Sequence, residues 1–218
     1  MNPTVKVTDA AARAAQEAEL TPLPAKQHAI QQRERILDAA ERCFIDAGFH
    51  AASMAHIATT AGMSAGLIYR YFDSKNAIVK AIIQRHLEGE ACGTIQHLST
   101  AEDVVAQLLD VFDRWRRGDD PKMNAALMLD LTSESTRDPE IARAVHDKDH
   151  VIGTELAAAV RRISQLRGVT LTPAVARGRA VILQCLVEGM AYRAVRDPEL
   201  RRATIKPVLE QIINVLLS

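Results

Sequence analysis

Apolar residues recur every three or four positions along most of this chain, and that period predicts a succession of amphipathic helices. The pattern is interrupted most sharply between positions 53 and 75. Ser53, Ser64 and Ser74 each precede a short apolar run and can accept an orphan backbone N–H, so each predicts the start of a helix. Gly62 follows the first run, where glycine can end a helix. The stretch therefore predicts two short helices across a tight turn, a helix-turn-helix, and then a longer helix.

The second short helix, from Ala65 to Phe72, would present a face suited to DNA. Small residues at its start allow close backbone approach, and Arg70 can donate to guanine or to phosphate. Lys75 stands in the first turn of the next helix, where a cation is unfavourable unless a phosphate binds there. The predicted DNA-binding residues are Ser53, Ser64, Ala65, Gly66, Tyr69, Arg70, Tyr71 and Lys75. The alternative is a helical hairpin whose Arg and Lys are merely solvated.

The stretch from about Arg33 to Ile83 resembles the DNA-binding domain of the tetracycline-repressor (TetR) family. The residues that carry the resemblance are Ile36, Ala39, Ala40, Phe44, Gly48, Ile57, Ala58, Ala61, Gly62, Ser64, Gly66, Ile68, Tyr69, Tyr71, Phe72 and Lys75. Ser53 stands where the family usually has threonine and keeps the hydroxyl. The resemblance implies that the helix from Ser74 connects the DNA-binding domain to a sensing domain. It also implies that the last two helices form a four-helix bundle across a dimer.

Charge and composition narrow the function further. The 218 residues carry no net charge, and the segment from Gln31 to Arg85 has seven Lys or Arg and five Asp or Glu, about +2. Any DNA affinity must therefore come from placed contacts and from two copies acting together. Three cysteines, at positions 43, 92 and 185, give neither a disulfide framework nor a metal-ligand spacing. We expect a cytoplasmic protein with no membrane segment, no cofactor and no metal site.

Catalytic motifs are missing from the pattern, since no nucleophile stands with a base and no glycine-rich phosphate loop appears. The protein is therefore not expected to be an enzyme. Three domains are predicted: a flexible N-terminal arm over residues 1–27, a helix-turn-helix domain over 28–85, and a ligand-sensing and dimerisation domain over 86–218. The arm is rich in alanine and holds three prolines, and a contact with the DNA minor groove is its alternative role.

The last two predicted helices carry apolar residues around too much of their circumference for one-sided burial, which indicates a subunit interface. Its candidate residues are Leu183, Val187, Val208, Ile212, Ile213 and Leu216. Aromatic, methionine and polar residues of the same region could line a site for a small ligand. The candidates are Phe112, Trp115, Met123, Met128, Gln184 and Glu188, and an ordinary core is the alternative for each.

Together these features predict an all-α protein in which a three-helix DNA-binding domain is joined by a connector helix to a helical ligand-binding and dimerisation domain. The expected function is a homodimeric, ligand-responsive transcriptional repressor. It would bind a near-palindromic double-stranded operator and be released by an apolar or aromatic small-molecule inducer. A helical protein–protein adaptor is the first alternative. A ligand-independent regulator or an activator is the second.

Overall fold

The computed structural model describes residues 25–87, 92–118 and 124–218, and within these ranges the chain forms ten helices and no strand. In chain order they are α1 (Ala25–Ala51), α2 (Met54–Ala61), α3 (Ala65–Tyr69), α4 (Lys75–His86), α5 (Cys92–His97), α6 (Ala101–Arg117), α7 (Ala125–Ser135), α8 (Pro139–Leu166), α9 (Pro173–Arg196) and α10 (Arg202–Leu216). The all-α prediction is confirmed. Met123 and nearly all of the predicted N-terminal arm lie outside the described residues.

The chain divides into two compact units, residues 1–35 and 36–218. The described part of the first unit, residues 25–35, forms the first turns of α1. Every helix from α2 onward belongs to the second unit, together with the rest of α1. The domain boundaries predicted after residues 27 and 85 stay predictions.

Side-chain caps fix where most of these helices begin. Ser53, Ser64 and Ser74 cap α2, α3 and α4, as the sequence predicted. Thr100 and Asp103 form a reciprocal capping box at the start of α6. Asp138 and Thr172 cap α8 and α9, each directly before a proline in the first turn.

Gly48 bends the end of α1. Its φ of 77° and ψ of 163° fall in a region that essentially only glycine occupies, and the helix hydrogen-bond ladder is interrupted there. The next residues form one further turn, closed by a 3.3 Å bond from the Ala52 N–H to the Gly48 carbonyl. The chain then enters α2 at Ser53. This bend therefore sets the direction in which the helix-turn-helix leaves α1.

The described residues of the second unit form two hydrophobic cores. The first lies among α1, α2, α3 and α4, and it also takes in Leu127 and Leu131 of α7 and Ile141 of α8. The second is built from α6, α8, α9 and α10, with Phe112 and Ile213 among its fully buried side chains. Because α7 and α8 contribute to the first core, the helix-turn-helix is packed against the remainder of this unit. None of the described helices has the length and hydropathy needed to cross a membrane.

Candidate nucleic-acid interface

Helices α2 and α3 are joined by a turn whose hydrogen bonds are all local. The Ser53 hydroxyl accepts from the His56 N–H at 3.1 Å, which begins α2. Gly62 takes the left-handed conformation at φ 63° and ψ 39°, and the Met63 N–H returns to the Ala58 carbonyl at 2.9 Å. The Gly62 N–H also returns to the Thr59 carbonyl at 3.0 Å, and this pair of hydrogen bonds is the usual glycine end of a helix. The Ser64 hydroxyl then accepts from the Leu67 N–H at 3.2 Å and begins α3.

Helix α3 has one anchored side and one open side. Ile68 is fully buried in the first core, and Phe72, just beyond the helix, is buried there too. The opposite side is exposed and carries Ser64, Ala65, Gly66, Tyr69 and Arg70. The sequence-predicted face of this helix is therefore a continuous outer surface. Ser53 is exposed as well, whereas Tyr71 is half-buried against the first core.

Gly66 has no packing reason to be glycine. A Cβ built on it would meet no atom of the described protein within 4 Å, and its φ is not positive. Without such a reason, glycine is unfavourable within a helix, because its backbone loses more conformational freedom on folding than that of any other residue. A glycine on an open helix face suits a backbone that another molecule approaches closely.

Lys75 begins α4 and is half-buried. Its Nζ donates to the carbonyls of Phe49 at 2.6 Å and Ala52 at 3.0 Å, and it lies 4.1 Å from the centre of the Phe49 ring. Burial lowers the pKa of Lys75, and the nearby Glu134 carboxylate opposes that shift. The sequence-based explanation for a cation at this helix N-terminus was a bound phosphate. The structure supplies protein acceptors instead, on a segment 23 to 26 residues away.

A buried carboxylate that the sequence analysis missed ties α1 to the end of α4. Glu41 is fully buried, with its oxygens 2.7 Å from Arg85 Nη2 and 2.9 Å from His86 Nε2. Arg85 also donates to Asp38 at 2.7 Å. Burial alone would raise the pKa of Glu41, but the hydrogen bonds from His86 and Arg85 outweigh it and hold the pKa below its ordinary value. The signal was present, since Glu41 interrupts the inner stripe between Leu37 and Phe44 at helical spacing.

Polar contacts join the helix-turn-helix region to the corner between α7 and α8. Asn76 donates to Asp138 at 2.6 Å, and Lys80 pairs with Glu140 at 2.9 Å. His50, at the bent end of α1, lies 3.1 Å from the buried carboxylate of Glu134. These contacts surround the place where α7 and α8 enter the first core. A displacement of that corner would therefore act on the bent end of α1 and on the first turns of α4.

The structure does not gather the predicted ligand residues around one cavity. Phe112 and Trp115 are 0% and 7% exposed in the second core, and Met128 packs against that core. Gln184 donates from its amide to the Asp149 carbonyl at 3.0 Å, against Gly153. Glu188 is exposed, and its pKa is raised by partial desolvation and then by the Asp149 carboxylate.

Two surface depressions lie away from these residues. One, of about 510 Å³, is lined by Pro173, Ala174, Arg177, Gly178 and Val181 at the start of α9. The other, of about 540 Å³, is lined by Asp113, Arg116, Arg117, Arg201, Arg202 and Ala203. Neither includes a predicted ligand residue. The ligand site remains a prediction.

The predicted subunit interface divides into inward and outward residues. Leu183 and Ile213 are only 4% and 0% exposed within a single protomer, so they belong to its own core, and this corrects their assignment to the interface. Val208 is 55% exposed, and Val187, Ile212 and Leu216 are half-buried. Further exposed apolar side chains on α9 and α10 were not among the predicted interface residues, namely Val175, Val181, Ile182, Tyr192, Val195 and Val215.

Two family models match separate stretches of the second unit. Residues 36–82 match the family model described as bacterial regulatory proteins, tetR family. Residues 100–218 match the model described as BetI-type transcriptional repressor, C-terminal. The first match contains α2, α3 and most of α4, and the second contains every helix from α6 onward.

Three curated relatives carry regulator names. The chain is 40% identical over 73 residues to the transcriptional activator FasR of Mycolicibacterium smegmatis, covering 34% of this chain but only 33% of FasR. It is 30% identical over 145 residues to the transcriptional regulator UidR of Escherichia coli K12, covering 62% of this chain and 67% of UidR. It is also 30% identical over 169 residues to the transcriptional regulator BetI of Cronobacter sakazakii, covering 75% of this chain and 79% of BetI.

Solved structures share the whole architecture. GusR of Salmonella enterica superposes with a TM-score of 0.73 at 25% identity, covering 91% of this chain and 98% of GusR. A transcriptional regulator from Saccharomonospora viridis in complex with choline superposes with a TM-score of 0.66 at 20% identity, covering 84% of this chain and 96% of that one. The second likeness shows the fold alone.

Proposed function

Because the chain belongs to the TetR family of transcriptional regulators, we propose that it is a repressor that binds a near-palindromic operator as a homodimer and is released by a small-molecule inducer. Its family members are regulators, so the chain is not an enzyme, as the sequence predicted. The observation that carries the proposal is the outer face of α3, where small residues and hydrogen-bond donors lie together on an exposed surface. Binding to the chromosome would place its action in the cytoplasm.

On that face the residues have separate roles. Ser64, Ala65 and Gly66 let the backbone approach the DNA, and Tyr69 with Arg70 supplies the longer donors. The Arg70 guanidinium has no ion pair or hydrogen bond with another described residue, so it is available to guanine O6 and N7 or to phosphate. Ser53 and Tyr71 stand beside this face as candidate phosphate contacts.

A homodimer would bring two copies of α3 to successive major grooves, about 34–36 Å apart. Support comes from the apolar side chains that α9 and α10 leave exposed in a single protomer, including Val181, Ile182 and Val208. Exposed apolar side chains grouped on the last two helices favour an interaction site there. The local charge of about +2 on each DNA-binding region is too small for one copy to bind tightly, which also favours two.

The inducer would act in the region that matches the BetI-type repressor model, residues 100–218. The aromatic pair in the second core, Phe112 and Trp115, supports an apolar or aromatic ligand, and aromatic faces also attract quaternary ammonium groups. Choline, present in the structurally similar protein from Saccharomonospora viridis, is therefore one compound to test. Its binding would require this core to open, because Phe112 has no exposed surface.

A gel mobility-shift assay tests the DNA-binding function. The protein is titrated into a fragment of its own upstream DNA and into a scrambled fragment of equal length. A shift specific to the upstream fragment, weakened in Arg70→Ala but unchanged in Lys206→Ala on α10, is the expected result. A protein that is folded and dimeric but shifts neither fragment would favour the helical adaptor.

Activation is a second candidate, because the 73-residue match with FasR is to a protein named as an activator. The sign of regulation is read from transcript levels of the neighbouring genes when the protein is absent. Repression predicts that transcripts rise, and activation predicts that they fall.

A further inference from the structure

We propose that Lys75 is a positioning residue of the helix-turn-helix, in which its ammonium closes the bent end of α1 and fixes where α2 and α3 stand. The proposal rests on the proposed function, since α3 is taken as the DNA-reading helix. It assigns Lys75 to the protein's own carbonyls rather than to a DNA phosphate.

The acceptors of Lys75 are carbonyls that the helix itself cannot satisfy. Gly48 breaks the ladder of α1, so the turn that follows ends with carbonyls that have no helical donor ahead of them. Among these are the carbonyls of Phe49 and Ala52, which Lys75 Nζ reaches at 2.6 and 3.0 Å. The His56 N–H, which a continuous helix would have directed at Ala52, is used by the Ser53 hydroxyl instead. Lys75 thus completes the hydrogen bonding of this bend.

Helix dipoles explain why a cation stands at the N-terminus of α4. A positive charge is unfavourable at the start of its own helix, and α4 has no acidic residue in its first turn. The same charge is favourable at the C-terminus of another helix, where carbonyls point outward. Lys75 lies at both places at once. Its position is therefore accounted for by α1, without a phosphate.

The surroundings of the ammonium hold it in place. Two of its three N–H donors are directed at the two carbonyls, and the Phe49 ring lies 4.1 Å below the charge. The buried Glu134 carboxylate of α7 acts on the same charge and raises the pKa of Lys75, which favours its protonated form. Only one N–H donor of this ammonium is left for a further acceptor.

The bend that Lys75 closes leads directly into Ser53, the N-cap of α2. Residues 49–53 carry the chain from the bend at Gly48 to α2, and α2 packs against α3 through Ile57, Ala61 and Ile68 in the first core. If the bend relaxes, α2 and α3 tilt as a pair against α1. DNA affinity would then fall for geometric reasons, with the same number of phosphates still bound.

The test compares Lys75→Met with Lys80→Met. Methionine keeps the stem over the Phe49 ring and removes the charge, while Lys80 is the next lysine on the same helix and pairs at the surface with Glu140. Both variants are assayed at a temperature where circular dichroism shows them fully folded. The probe is a 30-base-pair duplex enriched by the parent protein from a random library, and its affinity is measured at several salt concentrations.

We expect Lys75→Met to weaken this affinity by about tenfold or more while leaving the slope of log affinity against log salt unchanged. If Lys75 instead neutralises a DNA phosphate, the magnitude of that slope should fall by about 0.9, and this result would overturn the proposal. Lys80→Met should leave affinity within about twofold of the parent. Lys75→Arg, which keeps a cation with several donors, should restore part of the affinity.

Hydrogen exchange in the free protein gives a readout that needs no DNA. Lys75→Met should accelerate exchange of the amides from Ala52 to Ile57, and Lys80→Met should not. Unchanged exchange in this segment would contradict the positioning role. Faster exchange with unchanged DNA affinity would make Lys75 a stabilising residue only, which also overturns the proposal. A parent protein that enriches no duplex would instead contradict the proposed function. Hydrogen exchange would then still test whether Lys75 holds the bend in place.

Discussion

Gly66 is a single residue at which stability and function should separate. Nothing in the described protein occupies the space of its missing Cβ, so Gly66→Ala fits without strain. Alanine is the better helix former, and we expect the variant to be more stable than the parent by about 0.5–1 kcal/mol. If DNA approaches the backbone at this point, the added methyl group should weaken operator binding.

The measurement for Gly66→Ala is urea unfolding alongside mobility shift. A second glycine provides the control, since Gly178 on α9 also has open space around its Cβ position and lies outside the DNA-binding face. Gly178→Ala should leave DNA affinity unchanged, unless it alters assembly, which sedimentation detects. Equal DNA affinity for Gly66→Ala and the parent would contradict a close approach of DNA to the backbone at Gly66.

Individual residues also show which parts of the candidate site could be predicted from the sequence. Ser53, Gly62, Ser64 and Ser74 act through bonds spanning three to five residues, so their roles were predictable. The partners of Lys75 lie 23 and 26 residues away, at a bend whose geometry depends on the fold, and no local pattern contains them. The chemistry of Lys75 was therefore visible in the sequence, but its acceptors were not.

Helices α1 and α4 are held together by the buried Glu41 carboxylate, and its removal should be severe. Breaking a buried ion pair by deleting one partner costs about 3–5 kcal/mol, and Glu41→Ala should lower the free energy of unfolding by that order. Asp38→Ala is the matched control, because Asp38 pairs with the same Arg85 from a half-exposed position. Its effect should be below about 1 kcal/mol.

Glu41 also predicts a direction for the pH dependence of unfolding. Its folded pKa lies below the ordinary 4.5, so its charged form stabilises the fold above that value, and this contribution is lost as pH falls through the lowered folded pKa. The unfolding free energy should therefore decrease on acidification below about pH 4.5, and less steeply in Glu41→Gln than in the parent. Identical slopes in the two proteins would mean that Glu41 is not charged in the fold.

Helices that are apolar around much of their circumference were the hardest to orient from sequence. In the sequence, Leu183 and Val208 are both apolar residues on largely apolar helices. In the structure, Leu183 is buried in its own protomer and Val208 is exposed. Which side of α9 or α10 faces inward is decided by the neighbouring helices, not by an alternation within the helix itself. The helices were therefore predicted correctly, whereas the assignment of Leu183 and Ile213 to the interface was wrong.

For the whole molecule, the exposed valines of α9 and α10 should control assembly without controlling the fold. Val181→Glu combined with Val208→Glu places two charges on surface that a single protomer leaves open. We expect a folded monomer with greatly reduced operator affinity, because one DNA-binding region with a small positive charge binds weakly alone. Sedimentation equilibrium and circular dichroism measure the two properties separately.

Two comparisons sharpen the assembly test. Lys206→Glu changes charge on an exposed polar position of α10 and should leave assembly intact. Ile213→Glu buries a charge in the protomer core and should unfold the protein instead of producing folded monomers. A Val181/Val208 double variant that still sediments as a dimer would place the interface on other surface.

The central claim is that the outer face of α3 reads DNA in two copies, and enrichment of duplexes from a random library tests it most directly. The parent protein should enrich a near-palindromic sequence whose half-site centres lie about one helical turn or a multiple of it apart. Arg70→Ala should enrich the same arrangement with relaxed preference at one position in each half-site, a change of about 1–3 kcal/mol if the arginine contacts guanine. A folded, dimeric parent that enriches no sequence, or one without two-fold symmetry, would contradict the account.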